Sequence, residues 1–382
     1  MTTVFEHTRD RGQIHVFVIG VDLYPYCGRS TVQQDEWRTL ARSVKQLSSP
    51  SLSALTITDW AIANQHDDTP YQHPVGSLEL VVSALEPVRV DAGRDAVTVE
   101  PATTANVQAA FDRWYDRCDR RVDNIALFYF CGHGLRVGSD DILLLQDFAE
   151  SRHRIFDNAV DFRETYRAMA QCSAHIQCYF VDACRDLPDR LLGKDAARAR
   201  PLKHALPGSR RRDGPIVYST VPGHQAWGEP DSPTVFATSV RQALDGLAAE
   251  TIERDWEVRT SNLGKTVSRL MLWNDPTNRG TQVVDSAGMV LDGVVRRLTA
   301  APVVPFRVGC TPRAALEEAH LRLAGNTHAA ERPPSAQVWH DSAPAGAYKL
   351  SADFSHKRYV AVPELLHIMP PYRAYDLPVQ AT

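Results

Sequence analysis

A histidine and a cysteine each follow an apolar segment at a place where a buried strand would end. His133 comes after residues 124–132 (NIALFYFCG), and Cys184 comes after residues 175–183 (HIQCYFVDA). An imidazole can take the proton of a thiol, which creates the nucleophilic thiolate, and can later give that proton to a leaving amine. The two side chains together could therefore cleave an amide or an ester bond.

Two strands of a parallel sheet would bring these side chains together. Both segments are rich in aromatic, β-branched and aliphatic residues with little alternation, which is typical of strands buried on both faces. In open α/β sheets, ligands are handled at the carboxyl ends of the strands. We therefore expect His133 and Cys184 to lie at the same edge of one sheet.

The residues around the pair resemble a known family. FCGHG at 130–134 and VDACRD at 181–186 are similar to the His-Gly and Ala-Cys-Arg blocks of caspase-like cysteine proteases, which include metacaspases and many bacterial relatives. The cysteine follows the histidine by 51 residues (184 − 133), close to the spacing of about 50 in caspases. The resemblance covers roughly residues 13–250. It implies an α/β fold, a caspase-like αβα sandwich with a mostly parallel central sheet.

The resemblance also implies roles for individual residues. Cys184 is the expected nucleophile and His133 its partner, with the backbone amides of Gly134 and Cys184 as donors to the oxyanion. Glycine suits that position because backbone N–H groups reach an oxyanion only where the main chain approaches closely. Asp182 stands where metacaspases, which cleave after Arg or Lys, carry Asp and where animal caspases carry Gln. A carboxylate there can bind guanidinium through paired hydrogen bonds.

Three further residues are candidates for substrate binding. Asp22 ends the first predicted strand and could add a second carboxylate to the pocket, or could instead cap backbone amides of a turn. Trp227 and Glu229 lie in a predicted loop over residues 224–233 and could line the substrate cleft.

Composition limits the class of protein. With 382 residues, 43% of them hydrophobic, the chain can form one large domain plus an addition. A net charge of −4 argues against binding to nucleic acid or to a membrane surface. The chain has no apolar run of about 18 residues and begins with a polar segment, so we expect a cytoplasmic protein.

No metal or cofactor is expected. Seven cysteines without a Cys-x-x-Cys pair fit neither a disulfide framework nor a common zinc site. Cys172 and Cys178 flank His175 but are interpreted as core residues. Gly264-Lys265-Thr266 lacks the first glycine of a phosphate-binding loop, because residue 259 is Arg. The acidic pair at 140–141 does not match the spacing of the metacaspase calcium site.

The remaining pattern predicts the elements that carry the site. Strands are predicted at 13–22, 142–145 and 214–220, and helices at 35–47, 161–171 and 263–273. Another helix should start at Thr103 or Thr104, and one more at Ser232-Pro233, by their capping residues. Residues 48–100 are interpreted as an elaboration of the domain.

The chain is expected to divide into two parts. Residues 1–299 are predicted to form the peptidase domain, with its core at about 13–250, and residues 300–382 a small Pro-rich, mainly β accessory domain. Within the first part, residues 186–214 contain eight Lys or Arg against four Asp, together with three prolines, which predicts a solvated basic linker. Caspase-like enzymes commonly have a cleavable segment in this place, so the resemblance implies that the protein cuts its own linker. The expected cleavage follows one of the linker's arginines: Arg198, Arg200, Arg210, Arg211 or Arg212.

These features predict a cysteine endopeptidase that cleaves after Arg or Lys, in regulated proteolysis or in a defence or cell-death pathway. Its expected partners are a protein or peptide substrate with Arg or Lys at the cleavage site and, for regulation, a protein partner. One alternative is a catalytically silent scaffold that binds partners through residues 300–382. Another is hydrolysis of a non-peptide ester by the same two side chains.

Overall fold

The computed structural model describes residues 3–28, 41–66, 72–93, 96–151, 153–185, 199–207, 211–223, 229–253, 255–275 and 282–382. The strands before residue 300 are β1 (Thr3–Glu6), β2 (Ile14–Val21), β3 (Val75–Ser83), β4 (Arg89–Asp91), β5 (Ala96–Thr98), β6 (Ile125–Gly132), β7 (Gly134–Val137), β8 (Asp140–Leu144), β9 (Ala159–Asp161), β10 (Ile176–Ala183), β11 (Ile216–Tyr218), β12 (Ala249–Ile252), β13 (Asp255–Arg259), β14 (Asp285–Ala287) and β15 (Val294–Leu298). The helices are α1 (Pro50–Ala63), α2 (Thr104–Asp119), α3 (Phe162–Ala168), α4 (Val235–Gln242) and α5 (Thr260–Asn274), with shorter helical turns at Met169–Gln171, Ala243–Leu247 and Arg313–Glu317.

A seven-stranded sheet in the order β1-β3-β2-β6-β10-β11-β14 forms the centre of the molecule. The five inner strands run parallel, whereas the edge strands β1 and β14 are antiparallel to their neighbours. Every residue of β2 and β6 is buried, as the long apolar runs require. The mostly parallel sheet predicted from the sequence is confirmed.

Helices cover both faces of this sheet. On one face, α1, α4 and α5 pack over side chains such as Val18, Leu127 and Phe180. On the other face, α2 and α3 pack over Phe17, Phe128 and their neighbours. Thr103 caps α2, as predicted, because its hydroxyl accepts a hydrogen bond from the amide of Asn106 at 3.4 Å. The result is the predicted αβα sandwich.

The region at 48–100 is not an elaboration, and that interpretation was wrong. It supplies α1 and β3, and β3 pairs with β2 inside the main sheet. The signal was hidden because α1 lies between the sheet and α4 and is therefore buried on more than one side. Of the helix predicted at 35–47, residues 35–40 lie outside the described part of the chain, and residues 41–43 are helical.

A small three-stranded sheet, β7-β8-β9, follows His133 directly. The predicted apolar arm at 142–145 forms most of β8, and β7 turns back onto it as an antiparallel hairpin. Leu135, Ile142 and Leu144 are buried in the same core as α2 and α3. The hairpin thus fixes the chain on the carboxyl side of the histidine.

The basic linker is less exposed than predicted. Leu202 is buried, its amide donates to the hydroxyl of Thr165 at 3.0 Å, and its carbonyl accepts from Gln108 at 2.9 Å. Arg212 is also buried and stacks on Tyr166. The prediction of a solvated linker was therefore wrong for Leu202 and Arg212, whereas Arg200, His204 and Leu206 are exposed as predicted. Residues 186–198 and 208–210 lie outside the described residues.

Additional β-sheets form the last part of the chain. A sheet in the order β19-β16-β23 and a sheet in the order β18-β17-β20-β22 are accompanied by the pair β21-β24. Their strands are β16 (Val303–Thr311), β17 (Ala319–Ala324), β18 (Ala329–Arg332), β19 (Trp339–Pro344), β20 (Gly346–Phe354), β21 (Tyr359–Val360), β22 (Glu364–Ile368), β23 (Arg373–Pro378) and β24 (Gln380–Ala381). Within the described residues, no helix has both the length and the apolar character needed to span a membrane.

Candidate active site

The register of two neighbouring strands brings His133 and Cys184 to the same edge of the sheet. In the parallel pair β6-β10, Gly132 lies opposite Ala183. His133 and Cys184 are the next residue of each strand, so they emerge side by side at the carboxyl ends. The sequence predicted this juxtaposition from the two apolar runs alone.

Gly134 brings the two strand ends into close backbone contact. A Cβ atom at this position would lie 2.8 Å from the Cβ of Ala183 and 2.8 Å from the carbonyl oxygen of Cys184. Real carbon atoms do not approach so closely, so only glycine fits without a shift of the main chain. The main chain around residues 134 and 184 is thus compact enough for backbone amides to approach a substrate carbonyl.

His133 is held by two groups that are distant in sequence. Its Nε2 lies 2.8 Å from the carbonyl oxygen of Lys45, and its backbone amide donates to the hydroxyl of Tyr24 at 2.8 Å. The two rings also pack together, with centroids 4.9 Å apart. Because a carbonyl can only accept, Nε2 carries the proton, and Nδ1 is the basic nitrogen of the neutral ring.

The environment of His133 favours the neutral ring. Burial lowers the pKa of His133, and the hydrogen bond to the Lys45 carbonyl offsets part of that effect. The histidine is therefore a free base at neutral pH. The same carbonyl would stabilise the cation that forms once Nδ1 accepts a proton.

Cys184 differs from the other cysteines in its exposure. It is partly exposed, whereas the other six are buried. Burial raises the pKa of Cys27 and of Cys310 to about 11, and raises those of Cys118, Cys131 and Cys178 further. Cys172 and Cys178 belong to the cores on opposite faces of the sheet, so they cannot bind one metal ion together.

Asp182 lies two residues before Cys184 and is 2% exposed. Its Oδ2 accepts from the hydroxyl of Thr234, the N-cap of α4, and more weakly from Tyr129 at 3.4 Å and Cys131 at 3.5 Å. Its Oδ1 is buried without a hydrogen-bond partner among the described residues, as is the hydroxyl of Ser219, the residue that follows strand β11. Burial raises the pKa of Asp182, although the hydrogen bond from the Thr234 hydroxyl opposes that shift.

Asp22 lies on the same face of the sheet, beyond the end of β2, and is 4% exposed. Its carboxylate accepts a hydrogen bond from the backbone amide of Ser51 at 2.9 Å, in the first turn of α1. In this arrangement it caps the helix, which is one of the two roles considered for it. Glu229 has an exposed side chain, and its carbonyl accepts from Ser49 at 2.7 Å. Trp227 lies outside the described residues.

Arg185, directly after Cys184, is the centre of a buried ionic network. Its guanidinium binds Asp141 at 3.1 Å and Asp285 at 2.6 Å and lies 3.8 Å from the centroid of the Tyr218 ring. Tyr218 in turn donates to Asp141 at 2.8 Å. The network joins the β7-β8 hairpin to strands β11 and β14 beside Cys184. It also occupies Asp141, one of the two acidic residues considered for calcium.

Comparison with known families decides the identity of the fold. The family model described as the caspase domain, Peptidase_C14, matches residues 79–269, which is half of the chain and includes His133, Asp182 and Cys184. The chain belongs to this caspase-domain family of cysteine peptidases. The resemblance drawn from the two sequence blocks is therefore confirmed.

Individual relatives of this caspase domain are distant. "Uncharacterized protein y4kE" of Sinorhizobium fredii is 28% identical over 178 residues, which are 45% of this chain and 50% of that protein, so the chain spans half the length of this relative. Among solved structures, caspase-1 from Spodoptera frugiperda superposes with a TM-score of 0.41 and 13% identity, over 75% of this chain and 94% of that one.

Several residues of the caspase domain's candidate site were not predicted from the sequence. Lys45 acts through its backbone carbonyl, which no side-chain pattern can reveal. Tyr24 was assigned only to a turn. Thr234 replaces Ser232 as the cap of the helix, because its hydroxyl accepts from the amide of Ala237 at 3.0 Å and also donates to Asp182. A sequence pattern can identify Thr234 as a helix cap, but it cannot show that the same hydroxyl donates a hydrogen bond to a carboxylate on another element.

Proposed function

We propose that this protein is a cysteine endopeptidase in which His133 and Cys184 act together to cleave peptide bonds after Arg or Lys. The observation that carries the proposal is the strand register that sets the two residues side by side, with Nδ1 of His133 as the basic nitrogen. Membership of the caspase-domain family supports the reaction class.

In the proposed reaction, Nδ1 of His133 takes the proton of the Cys184 thiol, and the sulfur attacks the substrate carbonyl. The C–O π electrons move to oxygen, and the backbone amides of Gly134 and Cys184 are the proposed donors to that oxyanion. Collapse breaks the C–N bond, and the histidine gives its proton to the departing amine. Water, activated by the same imidazole, then releases the acid and restores the thiol.

The preference for Arg or Lys is attributed to Asp182. Its unpartnered Oδ1 and the nearby Ser219 hydroxyl offer two acceptors in a buried place, and a guanidinium or an ammonium group could donate to both. The carboxylate is almost fully covered, so a substrate side chain reaches it only if the residues packed around it shift. Asp22, Trp227 and Glu229 stay predictions for the walls of this pocket.

The test is hydrolysis of short fluorogenic peptides ending in Arg, Lys or Asp. The wild-type protein should release the fluorophore from the Arg and Lys peptides and not from the Asp peptide, and Cys184→Ala should release none. Equal rates for wild type and Cys184→Ala would reject the peptidase function and favour the silent scaffold. Turnover of a simple ester with no turnover of peptides would favour the esterase alternative.

We place this activity in the cytoplasm and in regulated proteolysis, with a defence or cell-death pathway as the expected setting. The support is the family resemblance. Mass-spectrometric comparison of protein N-termini in cells with wild type or Cys184→Ala would identify substrates, which should be cut after Arg or Lys.

A further inference from the structure

A cavity lies on the α2/α3 face of the sheet, away from Asp182. It has a volume of about 380 Å³ and is bounded by the β7-β8 hairpin, α3 and the ends of β11 and β14. Four arginines from three separate parts of the chain line it, namely Arg136, Arg163, Arg167 and Arg185. The carboxylates in its wall are Asp141 and Asp285.

The two carboxylates of the wall are already engaged by one of these arginines. Arg185 binds Asp141 at 3.1 Å and Asp285 at 2.6 Å, and Asp141 also accepts from Tyr218. Little carboxylate capacity is left for the other three guanidinium groups. The wall therefore carries an excess of positive charge.

The partners of the other arginines are weak or neutral. Arg163 donates to the carbonyl of Ser139 at 2.7 Å, and Arg136 donates to that of Gly138 at 3.3 Å while lying 4.0 Å from Asp141. Arg167 lies 3.6 Å from Glu164 on the exposed side of α3. Each of these guanidinium groups retains N–H donors beyond those contacts, because guanidinium has five.

We propose that this cavity is a binding site for a phosphate-bearing anion. Arginine suits phosphate and carboxylate alike, since its planar fork donates two parallel hydrogen bonds. Phosphate is favoured here because the arginines approach from the hairpin, from α3 and from the sheet. A tetrahedral group with several acceptor oxygens can serve donors from three directions, whereas a planar carboxylate serves fewer.

The proposed site is distinct from the candidate active site. The side chain of Arg185 lies on the face of the sheet opposite Asp182. Cys184, the residue before Arg185, belongs to the candidate active site, so the two sites are adjacent along the chain. The binding test can therefore use Cys184→Ala, so that its result does not depend on peptide hydrolysis.

Isothermal titration of the full chain carrying Cys184→Ala, with pyrophosphate as the probe at low salt, tests the proposal. We expect a dissociation constant below about 1 mM and weakening of about tenfold or more when Arg136→Gln and Arg163→Gln are combined. Both arginines are partly exposed, so these changes leave the core intact, which thermal unfolding would verify. Arg322→Gln, which removes one positive charge from strand β17, is the control for loss of charge away from the cavity and should bind as the parent does.

The other ligands separate the sources of the anion. ADP binding at least as tight as that of pyrophosphate would support a nucleotide or similar ester, and binding of pyrophosphate alone would support a free phosphate. Tighter binding of citrate than of either would overturn the choice of phosphate. No heat at about 10 mM pyrophosphate, or equal affinity in the double variant and the Arg322→Gln control, would overturn the site itself.

Discussion

At the scale of single residues, Asp182 is a carboxylate that the fold buries with one oxygen unpaired. Its raised pKa means that folding favours the protonated acid. The stabilisation is complete below the unfolded value near 3.8 and is lost as the pH rises through the raised folded pKa. At neutral pH the charged form therefore costs stability. A binding role would explain why such a costly charge is present.

Asp182→Asn should separate stability from specificity. The neutral amide has nearly the same shape, so we expect a higher free energy of unfolding at neutral pH and a smaller loss of stability as the pH rises above about 4. Hydrolysis of the Arg peptide should fall by tens to thousands of fold, because truncating a buried charge pair costs about 2 to 5 kcal/mol. Urea unfolding at several pH values and peptide kinetics measure the two effects.

The control for this variant is the reactivity of Cys184. Iodoacetamide should label Cys184 in Asp182→Asn at least as fast as in wild type, because the neutral amide does not oppose the thiolate. The raised pKa values of buried thiols such as Cys27 keep those thiols unreactive. Unchanged Arg-peptide kinetics in Asp182→Asn would show that the cationic side chain binds elsewhere.

The places of His133 and Cys184 in the fold could be predicted from the sequence, but the residues that contact the candidate site from other elements could not. His133 and Cys184 each follow a long apolar run, and both runs became central strands in register. Tyr24, Lys45 and Thr234 reach the site from other elements through a hydroxyl or a backbone carbonyl. Contacts of that kind depend on tertiary packing and leave no local pattern.

At the scale of elements, the β7-β8 hairpin depends on Gly134. Gly134→Ala would force its Cβ into Ala183 and the Cys184 carbonyl, both 2.8 Å away. We expect the hairpin to shift and peptide hydrolysis to fall by about 10²- to 10³-fold, the usual loss for one oxyanion donor. The measurement is kcat for the Arg peptide.

Gly138→Ala is the matched control in the same hairpin. A Cβ there meets nothing within 4 Å, although the φ of +61° costs some stability. It should reduce stability slightly and leave kcat within a few fold of wild type. A similar loss of kcat in both variants would mean that the hairpin tolerates no change at all and that close approach at Gly134 has no special role.

The basic linker gives a prediction about self-processing. The backbone of Arg200 is hydrogen-bonded to β9, at 3.1 Å to Ala159 and 3.0 Å from Asp161, and Arg212 is buried. A peptidase needs an extended, accessible segment, so we expect no cleavage after Arg200 or Arg212. Of the other linker arginines, Arg211 is exposed, and Arg198 and Arg210 lie outside the described residues. Mass spectrometry of the active protein would locate the new termini, which should be absent from Cys184→Ala. A fully active chain that remains intact would contradict self-processing and leave the peptidase proposal standing.

Elements whose apolar residues form one continuous face or one continuous run were predicted well. Elements whose apolar pattern is broken, or which are covered on several sides, were not. Strands β2, β6 and β10 and helix α2 show clear periodic or continuous apolar patterns. Helix α1 does not, because the sheet and α4 both cover it. Strand β3 carries the buried Glu79, which pairs with Arg113 and Arg117, so a single charged residue interrupts its apolar run.

At the scale of the whole molecule, the C-terminal sheets share a core with the caspase domain. One apolar cluster includes Val217 and Leu263 as well as Phe306 and Leu350. At its edge, Trp273 of α5 stacks on Tyr372 with ring centroids 4.5 Å apart. The predicted boundary near residue 300 stays a prediction, since the family model ends at residue 269.

This shared core predicts a single unfolding transition. In scanning calorimetry of the full chain, the van't Hoff and calorimetric enthalpies should agree. Tyr372→Ala should lower the free energy of unfolding by about 1 to 3 kcal/mol through loss of the stacked pair and its buried area. Two resolved transitions in the wild type would show instead that the C-terminal part unfolds independently.

The burial of Asp182 beside Cys184 has a consequence for when the nucleophile becomes reactive. A carboxylate next to a thiol opposes the formation of a second negative charge, while the arginines across the sheet favour it. A cationic side chain that docks against Asp182 would cancel the opposing charge at the moment when the scissile bond arrives. Without substrate, the charge of Asp182 would then disfavour the thiolate, and binding of a substrate with a cationic side chain would favour it.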